Sequence, residues 1–190
     1  MSSMSELSDP WLVVIDPQRI FADPASEWCA PRFSETVEPI HRLAAAFGAE
    51  RTLVTRWLPG DNRAGSWAAY FAKWSFADRP NSDPYFDLVE SARDLSARPS
   101  VDVSTFGKWG YSLEAITGAT PHLVLTGVAT DCCVISTALA AADAGATVTV
   151  ISDACAGSSD ENHAAALQIM GLYAPQIEVV SSEEFLARSH

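Results

Sequence analysis

The chain reads as an α/β protein, a doubly wound three-layer sandwich with a mostly parallel sheet of about six strands. Three observations lead there. Strand-like and helix-like segments alternate along the chain, the pattern of parallel βαβ units. The first strand-like run, Trp11 to Ile15, is nearly continuously apolar, as expected where helices cover both faces of a sheet. Strand-like runs end in polar or glycine turns, at Asp16-Pro17, at Gly127 and at Ser152-Asp153.

Taken in order, Trp11-Leu12-Val13-Val14-Ile15-Asp16 is the first strand with its exit turn. Val37, Ile40, Leu43, Ala44 and Phe47 then fall on one helical face, with Pro39 expected in the first turn and Gly48 as the stop. Arg51 to Arg56 is a second strand. From residue 57 to about residue 100 the periodicity weakens and only Ser66 to Trp74 looks helical. Such an insert in a single domain spanning residues 1–190 is expected to serve as a lid or a subunit contact. Val101 to Val103 is extended, and Leu113 to Ile116 a short helix. His122 to Thr126 is a strand, followed by a tight turn and a helix with Ile135, Ala138, Leu139 and Ala142 on one stripe, ending at Gly145. Ala146 to Ile151 is the next strand. Ser158 with Glu161 predicts a capping box for a helix from Asn162 to Tyr173. Ile177 to Val180 closes the sheet, with Ser181 and Glu184 placed to cap a terminal helix.

Composition narrows the function. Hydrophobic residues make up 48% of 190 residues, which argues against disorder, and the net charge of −12 argues against nucleic acid and anionic membrane surfaces. Met1 to Pro10 carries neither the basic nor the apolar region of a secretory signal, and no run approaches a membrane span. The four cysteines, Cys29, Cys132, Cys133 and Cys155, show no disulfide spacing, so reduced thiols in a cytoplasm are expected.

The segment from Leu123 through Gly127-Val128-Ala129-Thr130-Asp131-Cys132-Cys133-Val134 carries the most chemistry. A thiol in the first turn of a helix sits near unpaired N–H groups and the positive end of the helix dipole, which favours thiolate. Two readings fit: an activated nucleophile at the carboxyl end of a strand, or two small hydrophobes packing the helix on the sheet. In a parallel sheet Asp16, at the end of the first strand, and Lys108, after Val103, would meet the same crevice. Carboxylate, ammonium and thiol together make a nucleophilic site.

The chain resembles the isochorismatase-like cysteine hydrolase superfamily, with its Rossmann-like topology, which includes nicotinamidases, carbamoylsarcosine amidases and ureide hydrolases. The resemblance rests on Val13-Val14-Ile15-Asp16-Pro17-Gln18 with Phe21, Thr55-Arg56, and Phe106-Gly107-Lys108 with Tyr111-Ser112. It rests also on Gly127 to Val134 with Thr137-Ala138, and on Val150-Ile151-Ser152-Asp153-Ala154. It implies a triad of Asp16, Lys108 and Cys133, a cis Val128–Ala129 peptide, and an oxyanion hole from the Ala129 and Cys133 N–H groups. It implies a homo-oligomer, dimer or tetramer, and a cysteine-dependent hydrolase of small amide, carbamoyl or ureide substrates.

Nicotinamidases in this superfamily hold a metal through Asp and His after the second strand; here Trp57 to Asn62 has no histidine, and His41, His122, His163 and His190 show no ligand spacing. Neither metal nor cofactor is expected. Phe21, Trp57 and Trp109 are expected to line the pocket. Trp67, Tyr70, Phe71 and Trp74 are assigned to an interface or the core. Gln18 fits a substrate hydrogen bond or a turn. Arg56 fits a substrate carboxylate or an acidic neighbour. Asp131 fits a helix start rather than a second catalytic acid, Asp153 a strand-end turn or a structural hydrogen bond, and Cys29 and Cys155 ordinary packing. Two other functions stay open: an isochorismate-type vinyl ether hydrolase, which needs an acid but no thiol, and a thiol redox protein using Cys132 and Cys133.

Overall fold

In the computed structural model, residues 10–61 and 63–188 are described. The expectations for Met1 to Asp9, for Asn62 and for His190 therefore lie outside the described residues. Six strands form one parallel sheet: β1 (Trp11–Ile15), β2 (Thr52–Trp57), β3 (Val101–Val103), β4 (His122–Val128), β5 (Thr147–Ala156) and β6 (Ile177–Val180), in the order β3-β2-β1-β4-β5-β6. Sequence order reverses between β1 and β4, and open α/β sheets form their ligand crevice at the carboxyl ends of the strands flanking such a reversal.

Strand β1 shows why the sandwich has two cores. Its residues are all buried, and alternate side chains point to opposite faces. Val13 and Ile15 pack with helices α4 (Tyr111–Thr117), α5 (Ile135–Asp143) and α6 (Asp160–Gly171), through Leu113, Ala138 and Met170. Leu12 and Val14 pack on the other face against Ile40 and Leu43 of α2 (Phe33–Phe47) and Phe185 of α7 (Ser182–Arg188). A third, largely aromatic cluster sits at the carboxyl end, joining Phe21 from the short α1 (Arg19–Ala22) with Trp57, and Phe71 from α3 (Ser66–Lys73). Among the described residues no helix is long and apolar enough to cross a membrane.

Several local expectations shift. Helix α2 begins at Phe33, so Pro39 lies inside the helix rather than in its first turn. The cap of α6 is Ser159, whose hydroxyl accepts from Asn162 N at 3.1 Å, because Ser158 is bound to Asp131 instead. The Ser181–Glu184 box does form: Glu184 Oε2 accepts from Ser181 N at 2.8 Å while Ser181 Oγ accepts from Glu184 N at 3.2 Å. Strand β5 runs past Ile151 to Ala156 with an irregularity opposite β4, where pairing passes from Leu125↔Val150 to Gly127↔Cys155. Asp153, in that detour, accepts from Ser182 N at 2.7 Å and Ser182 Oγ at 2.6 Å and so anchors α7.

Candidate active site

The site begins with a backbone contact. Gly127 has φ of 101°, and a Cβ there would stand 2.1 Å from the Ile15 carbonyl oxygen, so only glycine lets β4 approach β1 this closely. Asp16 follows at once with φ of 48°, the one non-glycine residue in the left-handed region among those described. Such conformations cost about 1–3 kcal/mol and gather at functional sites.

Asp16 is held on three sides. Thr55 Oγ1 donates to its Oδ1 at 2.7 Å and accepts from its backbone N–H at 3.1 Å. Lys108 Nζ stands 2.8 Å from Oδ2, and both side chains are fully buried. That contact is an ion pair out of line for a hydrogen bond, so Oδ2 keeps a lone pair unclaimed. Lys108 Nζ also donates to the Thr105 carbonyl at 3.0 Å. A buried pair of this kind is tolerated because each charge neutralises the other.

The thiol arrives from β4. The Val128–Ala129 peptide is cis. Thr130 to Val134 forms one turn of π-helix before α5, closed by Cys132 N and Val134 N donating to the Ala129 carbonyl at 3.0 and 3.1 Å. Thr137 fixes the distance between the thiol segment and the lysine segment: its hydroxyl donates to the Cys133 carbonyl at 2.6 Å and accepts from Lys108 N at 2.9 Å. The sequence expectation of a thiolate-favouring helix start does not hold for Cys133. Its hydrogen bond with Cys132 holds the thiol well above the ordinary value, burial and the Asp16 carboxylate push the same way, and Lys108 opposes them. The same hydrogen bond lowers Cys132, against burial and Asp131. These influences favour the protonated form of Cys133, beside Asp16.

Cys132 and Cys133 open onto a cavity of about 370 Å³, a size suited to a small molecule. Its walls are Phe21, Trp28, Trp57, Tyr70, Trp74 and Phe106. Ala129, Asp131, Ser158, Glu27 and Cys29 complete the lining. Trp28 is the hub, with ring centroids 5.2 Å from Trp57, 5.9 Å from Tyr70 and 6.0 Å from Trp74. Burial holds the Tyr70 hydroxyl well above the usual phenol range, so it stays protonated.

Of the residues expected in the pocket, Phe21 and Trp57 are there, and Gln18, Arg56 and Trp109 are not. Gln18 is fully buried and spent on backbone: its Nε2 donates to Trp57 O at 3.0 Å and Phe86 O at 2.8 Å, and its Oε1 accepts from Trp57 N at 2.8 Å. Arg56 forms a two-pronged pair with Asp102, at 2.9 and 2.6 Å, because it points to the face of β2 opposite Thr55. Trp109, partly buried, packs against the core cluster that holds Leu113 and Ala138. Tyr70 and Trp74, assigned to core or interface, are cavity walls, while Trp67 and Phe71 stand behind them. The insert is thus a wall of the pocket. Cys29 lines the same cavity. Asp131 tethers the next loop, accepting from Ser158 N at 2.8 Å and Ser158 Oγ at 2.5 Å.

The histidines are spent elsewhere. His41 meets Ser91 O at 2.7 Å, His122 meets Thr149 Oγ1 at 2.9 Å and His163 meets Thr130 Oγ1 at 2.8 Å. Among the described residues no three His, Cys, Asp or Glu side chains are grouped to hold a metal ion.

The fold recurs in solved structures. A cysteine hydrolase from Pseudomonas syringae pv. phaseolicola 1448A matches with a TM-score of 0.78 and 20% identity, over 94% of this chain and 91% of that one. An isochorismatase-like hydrolase from Alkaliphilus metalliredigens matches with a TM-score of 0.75 and 16% identity, over 96% and 100%. The N-carbamoylsarcosine amidase from Thermoplasma acidophilum matches with a TM-score of 0.69 and 20% identity, over 92% and 97%. No curated protein matches the chain at a significant level. The isochorismatase domain model matches residues 10–184, nearly the whole described chain, and the chain therefore belongs to the isochorismatase family of hydrolases.

Proposed function

We propose that this hydrolase opens a C–N bond of a small amide, carbamoyl or ureide compound through a thioester on Cys133. The observation that carries the reading is the fully buried Asp16–Lys108 pair, 2.8 Å apart, in the crevice that Cys133 enters from β4. A thiol held toward its protonated form needs a base at the moment of attack, and Asp16, the buried carboxylate beside it, is placed to be that base.

The steps follow from those positions. Asp16 takes the Cys133 proton as sulfur attacks the carbonyl carbon, and Lys108 holds the charges in place. The Ala129 and Cys133 N–H groups receive the oxyanion; one such donor typically contributes about 10² to 10³ in rate. Asp16 then gives its proton to the departing amine, leaving the acyl group on sulfur. A water, deprotonated by Asp16, attacks the thioester, and the thiol is restored with its proton. By resemblance the working unit is a dimer or tetramer, which sedimentation reads directly.

Ammonia release from a panel of small amides, carbamoyl compounds and ureides tests the reading. Turnover should disappear in Cys133→Ala and persist in Cys132→Ala, with an acyl adduct on Cys133 by mass spectrometry. Cleavage of a vinyl ether without ammonia, or reversible peroxide sensitivity with no turnover at all, would replace it with one of the other two functions.

A further inference from the structure

The cavity has a character that the triad does not explain. Its walls are six aromatic side chains, its only charged lining residues among those described are Glu27 and Asp131, and no lysine or arginine faces it. Lys108 is fully buried and neutralised by Asp16, and Arg56 is taken by Asp102 outside the cavity. A substrate carboxylate entering here would meet two acids and no cation to receive it.

A cation would meet the opposite situation. Aromatic faces attract positive charge within about 6 Å of the ring centre, and several rings set at steep angles make the box that holds alkylated ammonium groups. Trp28 packs edge-to-face on Trp57 at 73° and on Trp74 at 65°, with centroids 5.2 and 6.0 Å apart, so the rings brace one another and a cation would rest in the cavity they line rather than between them. Trp74 already carries a cation, Lys73 Nζ at 4.9 Å from its ring, although Lys73 is not part of the cavity wall. Asp131 is held at the cavity by its two hydrogen bonds from Ser158 and supplies fixed negative charge, while Glu27 is exposed. The net charge of −12 adds a long-range field of the same sign.

We propose that the Trp28–Trp57–Tyr70–Trp74 box, with Asp131 and Glu27, selects substrates that carry a compact cationic group of the trimethylammonium kind rather than a carboxylate. The inference rests on the reading of this cavity as the hydrolase site, and the experiment separates the two.

Binding decides the inference. Tryptophan fluorescence of the full chain at constant ionic strength is titrated with choline, with its neutral isostere 3,3-dimethyl-1-butanol, and with 3-hydroxypropanoate. Choline should bind about 3- to 30-fold tighter than the isostere, the range expected for a cation on aromatic faces, and the anion should not saturate. Trp28→Leu should lose that preference and the milder Trp28→Phe should keep most of it. An isostere that binds as well as choline, or a choline titration that does not saturate, overturns the inference. Ammonia release decides the hydrolase reading. 4-(Trimethylammonio)butanamide should exceed 5,5-dimethylhexanamide in kcat/KM by a similar factor. Faster turnover of the neutral amide overturns the cation preference and leaves the amidase intact. Choline preference with no ammonia from either amide, or from the wider panel, keeps the box and removes the amidase.

Discussion

Thr55 Oγ1 and Asp16 are bonded twice: the hydroxyl donates to Oδ1 at 2.7 Å and accepts from the Asp16 backbone N–H at 3.1 Å. One side chain thereby fixes both the carboxylate and the left-handed backbone that carries it. Thr55→Val keeps the shape and removes the hydroxyl. It should cost about 1–3 kcal/mol, the range for buried groups left unpaired, and Thr55→Ser should recover most of it. Urea unfolding of the three proteins measures this; a Val variant as stable as wild type would show that the bonds contribute nothing.

Gln18 clamps the backbone of Trp57 and Phe86 through three hydrogen bonds and does not itself line the cavity. Gln18→Leu should therefore lower stability by about 2 kcal/mol or more, and weaken the near-ultraviolet circular dichroism of the tryptophan cluster that it steadies. A variant that lost substrate affinity with unchanged stability and spectrum would return Gln18 to the substrate.

Gly127 and Gly145 have the same φ, 101°, in different surroundings. A Cβ at Gly127 strikes the Ile15 carbonyl oxygen at 2.1 Å, whereas at Gly145 the nearest atom is Thr120 Cγ2 at 3.5 Å. Gly145→Ala should cost only the backbone strain, about 1–2 kcal/mol. Gly127→Ala should exceed about 4 kcal/mol, since β1 and β4 must separate to admit it. Equal urea midpoints would refute the close approach.

Burial lowers His122, and it lowers His163, which Arg32 pushes further down. Both depressed values mean that the unfolded chain binds protons more readily than the folded one. Stability from this source is fully present above the ordinary histidine range near pH 6.5 and is lost as pH falls through it. The Tm should drop between about pH 6.5 and 5, and His122→Gln should flatten part of that slope. A Tm that rises on acidification across this window would contradict the sign.

The two thiols differ in the opposite sense to their proposed importance. Cys132 is lowered by its hydrogen bond with Cys133 and is partly exposed; Cys133 is raised and buried. At neutral pH, without substrate, iodoacetamide should modify Cys132 ahead of Cys133, read by peptide mass. Faster labelling of Cys133 would mean that its thiolate is stabilised in the free protein after all.

How far the sequence alone reached depended on the kind of information each residue carries. β1 was legible because burial on both faces forces a continuous apolar run, and Asp16, Lys108 and the cysteine pair stood out because chain order puts them beyond strand ends, while the choice of Cys133 over Cys132 rested on the family resemblance. Side-chain direction was another matter. Trp109 adjoins Lys108 in sequence and still turns into the core, and Arg56 and Thr55 diverge because neighbours on a strand face opposite ways. Counting alternation along β2 would have favoured Thr55 as the Asp16 partner. Trp28 offered no such signal: it lies in an aperiodic loop, and its five ring contacts come from tertiary packing alone.

The reversal of strand order between β1 and β4 also bears on how the molecule acquires its pocket. One half of the sheet, β3-β2-β1, can assemble from the first part of the chain, and the other, β4-β5-β6, from the last. Asp16 and Thr55 belong to the first half and Cys133 to the second, so the pocket is a seam closed only when the halves dock along β1 and β4. Such distant pairing is entropically slow. A change that loosens the β1–β4 pairing would therefore part Asp16 from Cys133 even if each half kept its own strands.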